Sequence, residues 1–183
     1  MNEFSISEAN RKELLKIARA SVEEYLKTGN VPTARASNPE LAREAAVFVT
    51  LTERGKLRGC IGTTVPREPL YRAVAGMAIA AATKDSRFNP VTIGELKDIR
   101  FEISVLSPMM PVKIADEIKQ NHHGVLIRQG SRSGLFLPQV WEHFKTKEDF
   151  LGELCWQKAG IEPTAWQDKD TELSVFTVVA FEE

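Results

Sequence analysis

Cysteine is scarce in this sequence: 183 residues hold only Cys60 and Cys155, and neither belongs to a CxxC pair. That excludes a disulfide framework and makes a reducing compartment, the cytoplasm, the expected setting, with a single bridge between the two left open. Long apolar runs are missing too. The most apolar stretch, "AVAGMAIAAA" from Ala73 to Ala82, falls far short of the roughly 20 residues that a membrane span requires. The opening "MNEFSISEANRKELL" lacks the basic start, apolar middle and small-residue cleavage site of a secretory signal, so no membrane role is expected. There is no excess of one charge. With 24 cations against 25 anions the net charge is −1, which argues against nucleic acid or an acidic membrane surface as partner.

Familiar catalytic signatures are equally thin. No HExxH, HxH or CxxC spacing offers a metal site, and the adjacent His122 and His123 read as exposed turn residues. There is no GxSxG elbow, so a serine hydrolase is excluded. "QGSRSG" matches no phosphate-binding loop and reads as a hairpin turn. Trp141, Trp156 and Trp166 read as core or lobe-interface aromatics, not base-stacking platforms.

What is present reads as one folded domain. In "SISEANRKELLKIARASVEEYLKTG", Ser5 and Glu8 fit a capping box and Leu14, Leu15, Ala18, Val22, Tyr25 and Leu26 share a helical face that Gly29 ends. "AVFVTLT" is a β run, and the turn "ERGK" leads into a second extended run, a hairpin. Pro69 opens a helix whose Leu70, Ala73, Val74, Met77, Ala78 and Ala81 form a small-residue face. "TIGELKD" predicts a short helix with Thr92 and Glu95 in capping register, and "IRFEISVLSP" alternates as a half-buried strand. From Pro108 to Val140 come short elements only: a helix over "KIADEIKQ" and strands "VLIR" and "LFLP". A helix capped by Thr146 runs to Gly160, and Val175 to Ala180 reads as an interior strand. This order is not βαβ alternation. It predicts an α+β fold, a mainly antiparallel sheet covered by helices with a smaller β-rich lobe.

One segment carries chemistry, "GKLRGCIG" from Gly55 to Gly62. Strand alternation would put Leu57 and Ile61 toward the core and Arg58 with Cys60 on the other face. A guanidinium beside a thiol favours the thiolate, the nucleophilic form of cysteine. Gly59 and Gly62 would leave room for a ligand or another backbone to approach. The alternative is a packed, inert Cys60, since free cysteine behaves as a small hydrophobe, with Gly59 at a bulge and Gly62 at the strand end.

"LRGCIG", "PLYRAVAGMAIAAATKDSRF", "FEISVLSP", "HGVLIRQGSRSGLFLPQV" and "FLGELCWQKAG" span about residues 41 to 160, and in their order the chain resembles the AmmeMemoRadiSam system protein A group, which includes the human protein of the AMMECR chromosomal region. The resemblance implies an α+β fold with a larger lobe from both chain ends, about 1–107 and 146–183. It implies a smaller lobe at about 108–145 and a cleft near LRGCIG. It further implies the company of a Memo-type protein and a radical S-adenosylmethionine protein, but no established reaction and no identified cofactor. The signature falls on Leu57, Arg58, Gly59, Cys60, Ile61 and Gly62, on Asp85, Arg87 and Phe88, and on Gly134, Leu137, Pro138 and Gln139. "KDSRF" stands where "DPRF" is common. The chain has no CxxxCxxC spacing and is not the radical enzyme itself.

Taken together, these features predict a cytoplasmic accessory protein of a modification pathway. Cys60 and Arg58 would be its reactive pair, and Gly59, Gly62, Asp85, Arg87 and Gln139 would hold a small molecule or peptide. The alternative is a non-catalytic regulatory or scaffold protein, associated with nucleic acid through its arginines.

Overall fold

The computed structural model describes residues 4–183. The first helix, α1 (Glu8–Thr28), starts where Ser7 Oγ accepts the Asn10 N–H, two residues later than the Ser5 cap expected. Asn10, the third residue of the helix, gives that cap its donor. Gly29 ends the helix in the left-handed region at φ 75°. Strands β1 (Val47–Glu53) and β2 (Lys56–Thr63) form the expected hairpin, and Arg54 and Gly55 both take positive φ in its tight turn. Helix α2 (Leu70–Thr83) follows Pro69, and β3 (Ile99–Leu106) pairs antiparallel with β1. "TIGELKD" forms only a turn and a 3-10 segment, Leu96–Asp98.

The chain divides into two compact units, Met1–Leu106 with Val179–Glu183 and Ser107–Val178. In the first, the sheet order is β2-β1-β3-β8, with β8 at Val178–Glu182. Val47, Val49 and Leu51 of β1 and Ile99, Phe101, Ile103 and Val105 of β3 are buried in one cluster with Leu14, Ala18 and Val22 of α1 and Ala73, Val74, Ala78 and Ala81 of α2. Alternation in the strands and 3.6-residue spacing in the helices thus converge on one core. Arg19 ties α1 to this sheet: it donates to the carbonyls of Leu96 and Ile99 and to Glu183, and lies 4.9 Å over the Phe101 ring.

The second unit holds the sheet β4-β7-β5-β6, from β4 (Met110–Val112), β5 (Gly124–Gln129), β6 (Arg132–Phe136) and β7 (Thr171–Phe176). Helix α3 (Lys147–Glu153), capped by Thr146, continues as a π-helical segment, Leu154–Ala159, that Gly160 closes. The expected lobe boundaries move here. Phe150, Leu151, Leu154 and Cys155 share a core with Val125, Ile127, Phe136 and Trp141, so residues 146–178 belong to the second unit. The amphipathic pattern of α3 announces a buried face but not which sheet covers it.

Three smaller expectations also change. "KIADEIKQ" is only a 3-10 turn, Ala115–Glu117, with no side-chain cap, and a helix that short is unstable alone. The final apolar run is two strands in two sheets, broken at Thr177, and only β7 is interior. His123 is buried, not exposed: its Nδ1 accepts the Lys119 N–H at 3.1 Å, and its carbonyl accepts the Trp141 indole N–H at 2.7 Å. Among the described residues no helix is long and apolar enough to cross a membrane.

Candidate functional site

Strand β2 lies at the edge of its sheet, so backbone groups along its free side need partners other than a strand. At Cys60 two side chains supply them. The Cys60 N–H donates to Asp85 Oδ2 at 2.8 Å, and the Cys60 carbonyl accepts from Arg87 Nη2 at 3.4 Å. Asp85 follows α2 directly and is itself buried. Its carboxylate also accepts the Arg87 backbone N–H at 3.2 Å, a turn that aspartate favours. Arg87 completes a two-pronged pair, Nε to Oδ1 at 2.9 Å and Nη2 to Oδ2 at 2.7 Å.

The electrostatics follow from this geometry. The Arg87 guanidinium, helped by the Cys60 and Arg87 N–H groups, holds the Asp85 carboxyl far below the usual carboxylate range against the opposing effect of burial. Asp85 in turn raises the Arg87 pKa. The Arg87 side chain is 56% exposed, and its Nη1 is unused in these bonds.

The alternation expected through LRGCIG is interrupted. Leu51 pairs with Gly59 but Thr52 pairs with Leu57, which leaves Arg58 as the extra residue of a β-bulge. Leu57 therefore falls on the face of Thr52 and is 45% exposed; it is not a core anchor. Arg58 points its bonds to the segment beyond α2: Nη1 to the Asn89 carbonyl at 2.8 Å and Nη2 to Glu95 Oε1 at 3.1 Å. Glu95 also accepts the Thr92 N–H and hydroxyl, and these bonds, followed by Arg58, hold its carboxyl below its ordinary range. Arg58 is thus bound to a carboxylate of its own.

The glycines have packing partners within the chain. A Cβ on Gly59 would stand 2.2 Å from the Ala81 carbonyl oxygen of α2, and one on Gly62 would stand 2.2 Å from the Phe48 ring. The space expected for a ligand beside them is filled. What remains open is Cys60 itself, half-buried, with Sγ accepting the Thr50 hydroxyl at 3.3 Å. Thr50 and Cys60 are cross-strand partners on the face opposite Val49 and Leu51, away from α2. Cys155 is fully buried, and burial pushes its thiol pKa up.

The structure therefore brings Arg58, Gly59, Cys60, Gly62, Asp85 and Arg87 together around one edge strand. Gln139 is an exposed residue of the second unit, in the 3-10 segment Pro138–His143. Thr50, Phe48 and Glu95 belong to the arrangement without having been singled out for it. The capping register of Thr92 and Glu95 was visible, but not the bond from Glu95 to Arg58. Among the described residues no three His, Cys, Asp or Glu side chains gather as a metal site.

An α+β chain whose edge-strand thiol is framed by an aspartate–arginine pair is the class that fold and site define. The chain belongs to the AMMECR1 family, whose profile matches residues 15–181. It is 40% identical to Protein PF1979 of Pyrococcus furiosus, covering 93% of this chain and 86% of that one. A protein of Methanosarcina acetivorans is 37% identical over 97% of this chain and 94% of its own. The crystal structure of the uncharacterized protein PH0010 from Pyrococcus horikoshii superimposes with a TM-score of 0.82 at 39% identity, covering 93% of this chain and 89% of that one.

Proposed function

We propose that this chain is the A-type protein of an AmmeMemoRadiSam system, a cytoplasmic accessory protein working beside a Memo-type protein and a radical S-adenosylmethionine protein. In this reading the face of β2 around Cys60 receives a small molecule or a peptide segment. One observation carries it: of the two thiols, only Cys60 is partly exposed, and its N–H and carbonyl are held along the strand's free edge by Asp85 and Arg87. A thiol held on a fixed backbone is presented in one position, which is what a recognition or reaction site needs. Arg87, exposed and bonded to the Cys60 carbonyl, supplies a positive group beside the thiol's residue, the role first expected of Arg58.

Alkylation of the native protein by iodoacetamide, read by peptide mapping, tests this. Cys60 is expected to label in the folded protein and Cys155 only after unfolding; equal protection of both thiols would refute an accessible site. Co-purification with the Memo-type and radical partners, comparing wild type with Cys60→Ser, separates roles. Loss of the complex in the variant supports the site, whereas an unchanged complex favours a scaffold that docks elsewhere.

A further inference from the structure

The second unit carries a groove of about 950 Å³ that the Cys60 site does not use. Its walls are aromatic and its charge is negative. Phe144 and Trp166 are half-buried against the unit's core, which fixes them, while Trp156 on the π-helical segment is 62% exposed. An indole left that far in water is neither core nor packing, contrary to the reading of Trp156 from the sequence. Glu148, Asp149, Glu153 and Glu162 line the same groove against a single cation, Lys145.

That local imbalance stands out in a chain whose net charge is only −1. Glu148 and Asp149 also favour the start of α3, where they lie in the first turn, but Glu162 has no such role. Among the described residues none of the four carboxylates is in an ion pair. The chain's own cations lie over phenylalanine and tyrosine rings, and among the described residues none lies over Trp156 or Trp166.

We propose that this groove docks a basic peptide segment of a partner protein, seating a lysine or arginine side chain over Trp156 with its charge among the four carboxylates. The chemistry is complementary in both parts. The apolar stem of such a side chain covers the indole face, and the cation meets both the ring quadrupole and the acidic wall. The volume lies at the upper end of the roughly 300–1,000 Å³ typical of small-molecule sites, and the exposed Trp156 shows the groove to be open. An extended chain fits such an open trough better than a lone small cation, which gains most from enclosure. π-helical turns recur at functional sites, in keeping with Trp156 standing on one.

Fluorescence anisotropy of a short labelled peptide alternating glycine with arginine tests the assignment on the full chain. Binding is expected to weaken as salt is raised, and Trp156→Ala is expected to weaken it by about three- to thirtyfold. Glu153→Gln combined with Glu162→Gln should weaken binding and flatten its salt dependence. Trp156 and Glu162 are exposed while Glu153 is half-buried and accepts from the Gln157 amide, so thermal melts are run on each variant and an unchanged melt shows that it folds. Cys60→Ser should bind the peptide as wild type does, which keeps this result separate from the Cys60 reading. Absence of binding at low salt, equal binding by Trp156→Ala, or equal binding of the glutamate version of the peptide would overturn the proposal. So would displacement of the peptide by choline as readily as by unlabelled peptide, which would assign the groove to a small cation.

Discussion

Replacing Gly59 by alanine adds one methyl group at the point where α2 lies against β2. The added Cβ would stand 2.2 Å from the Ala81 carbonyl oxygen and 3.1 Å from its carbon, both backbone atoms that cannot rotate away. Restoring ordinary contact at 3.4 Å requires helix and strand to separate by about 1 Å, which disturbs the cluster in which Ala78, Ala81 and Leu51 are buried. Overpacking of this kind costs about 2–4 kcal/mol, and in a chain of this length that lowers the melting temperature by about 5–12 °C. Gly76 provides the control within the same helix. A Cβ there meets nothing within 4 Å, so Gly76→Ala should gain about 0.5–1 kcal/mol from helix propensity. Circular dichroism melts of the two variants should therefore move in opposite directions. If Gly59→Ala melts with wild type, the packing argument fails.

Asp85→Ala should cost about 2–4 kcal/mol, because it leaves the Cys60 N–H and the Arg87 guanidinium without their shared acceptor. Arg87→Ala keeps that N–H paired and should cost less, an order that urea unfolding of the two variants checks. The Asp85 pKa is depressed on folding, so its contribution is complete above the unfolded value near 3.8 and is lost as pH falls below it. Acid unfolding of wild type should steepen there relative to Asp85→Asn; parallel curves would contradict the pair's strength. Burial, with the charges of His122 and Lys119 adding to it, pushes the pKa of His123 below its ordinary 6.5. The neutral form is favoured in the fold, so stability should be full above pH 6.5 and fall as pH drops through the interval below it. Carbon-detected NMR of the imidazoles should place the His123 midpoint under 6.5, and a midpoint above it would refute the buried, accepting Nδ1.

Periodicity alone determined most of the elements. The hairpin, the Pro69 helix, the β3 alternation and the stops at Gly29 and Gly160 depend on side chains and backbone angles within a few residues of one another, and such signals survive in one dimension. The meeting of Arg58, Cys60 and two glycines in one extended run was legible for the same reason, whereas Asp85 and Arg87 came to notice only through the family resemblance. What the sequence could not decide was who stands opposite whom. The bulge that takes Arg58 out of alternation exists only in register with Thr52 and Leu51, and Arg58 finds Glu95 because the segment after α2 returns along the edge of β2. The roles of Gly59 and Gly62 were set by Ala81 and Phe48, which packing brings to them. In the same way α3 joined the second core, and Trp156 was left outside it among acids that sequence spacing had not gathered. Local angles and patterns are written residue by residue; the partner of an edge, a charge or a glycine is chosen only when distant segments compete for the same surface.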